Sequence, residues 1–231
     1  MNHELISKYQ KQIEAEKELF NKYILIDTGK MPSENFHVKY LPMISKKAQD
    51  YGFLLKITNM ICALDETNRN IIRVNQAWES FVTSDENSMI FNTLNCYTIE
   101  SVNAHIIHDI RRFIDDVIAI HWILLQPGNV QNVAMKGLGT YLSDANKDYK
   151  VFDSFLPFLQ MVNDIENAYK HSVSNNMSTL IGKDEPCIFA LYSKHNKDFL
   201  NPKMIGISLN QLITGFNTFY KFALSEIEKI K

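Results

Sequence analysis

Apolar residues recur at three- and four-residue steps over much of the chain, which is the spacing that lines one face of an α-helix. The first such stretch runs from Asn2 to about Ile26 through Leu5, Tyr9, Ile13, Leu19, Phe20, Tyr23 and Ile24, and Asp27-Thr-Gly-Lys-Met-Pro ends it. A second is expected from Ile44 through Ala48, Leu54, Leu55, Thr58 and Ile61 to Leu64, and a third from Asn68 to Val82 on Ile71, Ile72, Trp78, Phe81 and Val82. Ser84 to Tyr97 is polar and weakly periodic, so the chain divides there into an N-terminal helical region, 1–90, that can share a core with the second part, 98–231.

The strongest periodicity follows. Thr98 is positioned to cap a long helix that Pro127-Gly128 stops, with Ile106, Ile110, Phe113, Ile114, Val117, Ile120 and Leu124 on its core face. A short helix around Val133 to Leu142 comes next, then one capped by Ser154 that carries Phe155, Leu159, Val162, Ile165 and Tyr169 down to Ser172, with Pro157 tolerated in its first turn. The period then shortens to two: Cys187-Ile-Phe-Ala-Leu-Tyr-Ser and Met204-Ile-Gly-Ile-Ser read as one hairpin. Ser208-Leu-Asn-Gln211 is a capping box that opens a last helix striped by Leu212, Ile213, Phe216, Tyr220, Ala223, Ile227 and Ile230. The expected fold is therefore mainly α, a multi-helix bundle with one small β-hairpin before the C-terminal helix.

Composition narrows the function classes. The 231 residues are 45% apolar, enough for a packed core. The 24 Lys and Arg nearly balance the 26 Asp and Glu, so no global field draws the chain to nucleic acid or anionic lipid, and any RNA contact has to be local. Cys62, Cys96 and Cys187 lie far apart without metal-ligand spacing and read as buried small hydrophobes in a reducing compartment. The N-terminus is charged where a secretory signal is apolar, and Val117 to Leu125 is too short to span a bilayer, so the expected location is the cytoplasm, without membrane association. Phosphate-binding glycine loops and the Gly-x-Ser-x-Gly elbow do not occur, and Gly137-Leu-Gly139 alone has no weight. The dense aromatics Phe152, Phe155, Phe158, Phe216, Phe219, Tyr220 and Phe222 fall at helical spacing and belong to the core, while Lys8, Lys11, Lys17 and Lys22 describe a solvated face.

Two polar stripes carry candidate chemistry. On the long helix, His105, Asp109, Arg112 and Asp116 share one face with His108 and Asp115 at its edge; they can hold a metal or an acid/base pair, or form a solvated face laced by i,i+3 and i,i+4 ion pairs. Neither His-Glu-x-x-His nor paired Glu-x-x-His motifs are present, and no metal site or cofactor is assigned. On the helix ending at Ser172, Asn163, Asn167 and His171 recur every four residues. Two amides and an imidazole there can orient a phosphate or ribose, with His171 as acid or base, or His171 and Lys170 simply complement the helix dipole.

The segment from about Thr98 to Lys231 resembles the HEPN superfamily of helical bundles from prokaryotic defence, toxin–antitoxin and RNA-processing systems. The likeness rests on Asp109-Ile-Arg-Arg-Phe-Ile-Asp-Asp116, similar to the charged opening helix, on Glu166-Asn-Ala-Tyr-Lys-His-Ser172, similar to the Arg-polar-x-x-x-His motif, and on the hairpin followed by Ile207-Ser-Leu-Asn-Gln-Leu-Ile-Thr-Gly-Phe216. In active members it implies a metal-independent endoribonuclease in which Arg and His of two subunits meet at the scissile phosphate. Asn167 matches the polar position and His171 the histidine, but Glu166 stands at the arginine position, where an anion cannot neutralise the phosphate.

The first expectation is thus a non-catalytic HEPN-like protein binding RNA, a nucleotide or a protein partner in a prokaryotic defence or stress system, with a homodimer implied. Its ligand-binding residues are Asn163, Asn167, His171 and Asp116. Behind it stand a structural helical adaptor, an endoribonuclease using His171 and Asn167 with Arg112 or Arg111 as the cation, and a metal-dependent protein built on His105, His108, Asp109 and Asp116.

Overall fold

The computed structural model describes residues 3–29, 38–83, 93–128, 130, 132–143, 148–171, 184–193 and 201–230. Seven α-helices are found among them: α1 (His3–Lys22), α2 (Lys46–Asp50), α3 (Phe53–Val82), α4 (Thr93–Leu125), α5 (Leu138–Leu142), α6 (Leu156–His171) and α7 (Leu209–Lys229). Strands β1 (Cys187–Tyr192) and β2 (Lys203–Ser208) form the antiparallel hairpin between α6 and α7, with Cys187 opposite Ser208 and Tyr192 opposite Lys203. The protein is mainly α, as its periodicity predicts, and no described helix is long and apolar enough to cross a membrane.

Helix α4 is the axis of the bundle. Its 33 residues extend about 50 Å. One side packs along the 30-residue α3, and pairs that run in opposite sequence directions, Lys56 with Asp116 and Thr67 with Asp109, show the two helices to be antiparallel. The other side meets α6, also antiparallel, through His108 with Glu166 and Arg111 with Asn163. The expected core face of α4 is buried at every position, from Ile106 to Leu124. Apolar side chains of α3 belong to the same continuous cluster as those of α4, α6, the hairpin and α7. The aromatics are core residues: Phe152, Phe216 and Phe219 are fully buried, and Phe152 and Phe155 meet the rings of Phe219 and Phe222 at centroid distances of 5.2–6.1 Å.

Local signals explain the C-terminal elements. The Ser208 hydroxyl accepts from Gln211 N at 3.1 Å and caps α7, whose stripe from Leu212 to Ile227 is buried. The hairpin is fastened to α6 twice: Tyr169 Oη donates to Phe189 O at 3.0 Å, and Lys203 Nζ lies 2.9 Å from the buried Asp164 carboxylate.

After α1, Leu25 to Thr28 form a strap. Asn68 of α3 accepts from Ile26 N at 2.8 Å and donates to Ile26 O at 2.9 Å. Asn217 of α7 does the same for the neighbouring peptides, accepting from Asp27 N and donating to Leu25 O, both at 2.8 Å. Two side-chain amides thus supply the partners that a neighbouring strand would otherwise provide.

Several expected boundaries change. The first helix ends at Lys22, not Ile26, because the strap takes the chain out of helical conformation. The second and third expected helices are largely one, α3, preceded by the short α2, which Ser45 caps. The polar residues Thr67 and Asn68, which look like a break, are buried within α3 and bonded to Asp109 and Ile26. Helix α4 begins at Thr93, so Thr98 lies inside it and is no cap; residues 84–92 of the expected boundary segment fall outside the described residues. The helix expected from Val133 is only Leu138–Leu142, and Ser154 sits in a 3-10 turn, Asp153–Phe155, that leads into α6. Cys62 is exposed and Cys187 half-buried, not core residues; the side chain of Cys96 lies outside the described set.

Candidate functional site

Where α4 and α6 run side by side, their polar edges form a seam. Glu166, only 3% exposed, sits at its centre on α6. One of its oxygens, Oε1, receives Lys170 Nζ from the next turn at 2.6 Å and His108 Nδ1 from α4 at 2.8 Å. Both partners keep nearly half of their side-chain surface in solvent, so Lys170 and His108 rim a buried acid. One turn further along, Arg111 Nη2 donates to Asn163 Oδ1 at 3.1 Å, and the same guanidinium pairs with Asp115.

Asp115 ties the seam to α5. Its Oδ1 accepts from Leu138 N at 2.7 Å, the first amide of that helix, where a carboxylate complements both the free N–H and the helix dipole. The approach is close because Gly137 has no side chain: a Cβ there would lie 2.8 Å from Asp115 Cγ. Arg111 is thereby held by α4, α5 and α6 together.

The two expected stripes have different surroundings. Asn163 meets α4, Asn167 is half-buried, and His171 is exposed at the end of α6. Arg111, not Arg112, is the arginine that reaches α6. Arg112 and Asp116 instead line a hollow that α4 forms with α3, where Lys56 Nζ lies 2.6 Å from Asp116 Oδ2. Asp109 lines the same hollow and accepts from the Thr67 hydroxyl at 3.2 Å. Burial pushes the Asp109 carboxyl above the ordinary carboxylate range, partly offset by that hydrogen bond and by the nearby His108, His105 and Arg112. His105 is exposed on α4, and no group of three or more potential metal-ligating side chains occurs among the described residues.

Sequence reasoning missed the partners that complete both places: His108 and Lys170 on Glu166, Leu138 N on Asp115, and Lys56, Asn59 and Thr67 from α3. Only the Lys170–Glu166 pair left a local signal, its i,i+4 spacing. Comparison with protein-family models, with curated proteins and with solved structures finds no match for the chain.

Proposed function

We propose that the chain is a non-catalytic HEPN-like protein of the cytoplasm, dimeric, that binds RNA, a nucleotide or a protein partner through the seam edge bearing Asn167 and His171. The supporting observation is the condition of Glu166. At the place where an active member of that superfamily would carry arginine, this chain holds a buried carboxylate that is already shared by Lys170 and His108. A phosphate brought there would face an anion, and rotating Glu166 away would leave its two partners without their acceptor.

One observation favours the endoribonuclease reading: Arg111 brings a guanidinium to Asn163, four residues before Asn167 and eight before His171. That guanidinium is engaged by Asn163 and Asp115 and is only 13% exposed, so a substrate phosphate would have to displace a carboxylate to use it.

Cleavage of total RNA by the purified protein and by His171→Ala, both with a chelator, decides between them. No cleavage by either supports the non-catalytic reading. Cleavage by the wild type that His171→Ala abolishes overturns it and makes Arg111 the first candidate for the phosphate cation.

A further inference from the structure

The hollow between α3 and α4 is not used by the seam. It measures about 140 Å³, close to the ~150 Å³ that accommodates a benzene-sized molecule. Met60, Leu64 and Phe113 form a buried apolar floor, with Ala63 at the edge. Charged groups surround the mouth and balance in number, Lys56 and Arg112 against Asp109 and Asp116.

They are not equally satisfied. Lys56 and Asp116 neutralise each other at 2.6 Å. Asp109 has one oxygen on Thr67, and no cation within ion-pair distance among the described residues. Arg112, three residues along the same helix face, is exposed and makes no hydrogen bond or ion pair among the described residues. The result is one available anion and one available cation, side by side over an apolar hollow.

We propose that this hollow binds a free α-amino acid with an aromatic or branched aliphatic side chain. The ammonium group meets Asp109, the carboxylate meets Arg112 in the bidentate manner that guanidinium favours, and the side chain fills the space above Phe113 and Leu64. Net charge selects the class. A simple carboxylate gains Arg112 but is repelled by Asp109, a simple amine meets the reverse, and a nucleotide phosphate faces two acids. Only a zwitterion satisfies both groups without disturbing the Lys56–Asp116 pair. The inference does not depend on Glu166 or on the HEPN-like reading, and its test involves no RNA.

Isothermal titration of the full chain with phenylalanine and with leucine measures binding directly. N-acetylphenylalanine and phenylalanine amide, each lacking one charge, and cytidine monophosphate serve as competing classes. Millimolar or tighter binding of the amino acids is expected, weakened about tenfold or more by removal of either ligand charge and by Asp109→Asn or Arg112→Gln. Ala63→Trp, at the edge of the hollow and outside the ionic groups, is expected to block binding while circular dichroism stays that of the wild type. The proposal is overturned if neither amino acid binds at millimolar concentration, if a singly charged analogue binds as tightly, if cytidine monophosphate displaces the amino acid, or if a folded Ala63→Trp binds undiminished.

Discussion

Gly137→Ala is predicted to be among the most damaging single-methyl additions in the chain. Gly137 precedes α5 at φ 154° and ψ −163°, a backbone region essentially restricted to glycine, and a side chain forced into it costs about 1–3 kcal/mol. The new Cβ would also collide with the Asp115 carboxylate. Moving that carboxylate breaks its bond to Leu138 N, a charged hydrogen bond of about 1.5–3 kcal/mol, and loosens its pair with Arg111. The combined cost is about 3–5 kcal/mol, which corresponds to a fall in Tm of roughly 10 °C for a chain of this size. Gly139 is the internal control. It lies inside α5, and its added Cβ would meet only Arg111 Nη2 at 3.7 Å, an ordinary contact, so Gly139→Ala should leave Tm unchanged or raise it by the helix-propensity gain of up to about 1 kcal/mol. Scanning calorimetry and urea titration of both variants provide the measurement. If Gly137→Ala lost less than about 1 kcal/mol, or if the two variants fell together, the tight packing of Asp115 over Gly137 would be refuted.

Two further outcomes follow from buried polar groups. Glu166→Gln keeps the shape and one acceptor but removes the charge shared by Lys170 and His108; because both partners are half-exposed and can be rehydrated, the expected loss is only about 1–2 kcal/mol in urea titration, and a variant as stable as the wild type would show the seam to be inessential to folding. His121 is 2% exposed, with Nδ1 2.7 Å from the Tyr149 hydroxyl, and burial lowers its pKa from 6.5 to about 4. Its folded pKa lies below its unfolded one, so its contribution is complete above about pH 6.5 and is lost as pH falls toward 4, by up to about 1.4 kcal/mol per pH unit. Urea midpoints measured across that window should fall less steeply in His121→Phe, and an unchanged slope would remove His121 as the cause.

The hairpin and the last helix were legible in the sequence because their signals are local: alternating residues in β1 and β2, a capping serine, and an unbroken apolar stripe in α7. The middle of α3 was not, because Thr67 and Asn68 imitate a polar break. Their burial is compensated by Asp109, 42 residues downstream of Thr67, and by the Ile26 peptide, equally far upstream of Asn68. The candidate sites were half legible for the same reason. Periodicity correctly placed Asp109, Arg112 and Asp116 on one face, yet only packing against α3 reveals a hollow in front of them. Glu166 was visible as an acid in an unexpected position, whereas its burial and its pairing with His108, 58 residues away, depend on how α6 lies against α4.

The strap has a consequence for the order in which a growing chain matures. Asp27 leaves the ribosome early, but its amide partner Asn217 is 190 residues later, so at about 5–20 residues per second the strap waits roughly 10–40 s for half of its bonds. The Asn68 half is available much sooner, once α3 has formed. A chain that stops short of α7 has within reach only the Asn68 pair of strap bonds. The Asn217 pair of bonds needs α7, so a nascent chain halted before Asn217 should expose Leu25–Thr28 to proteolysis that the finished protein resists.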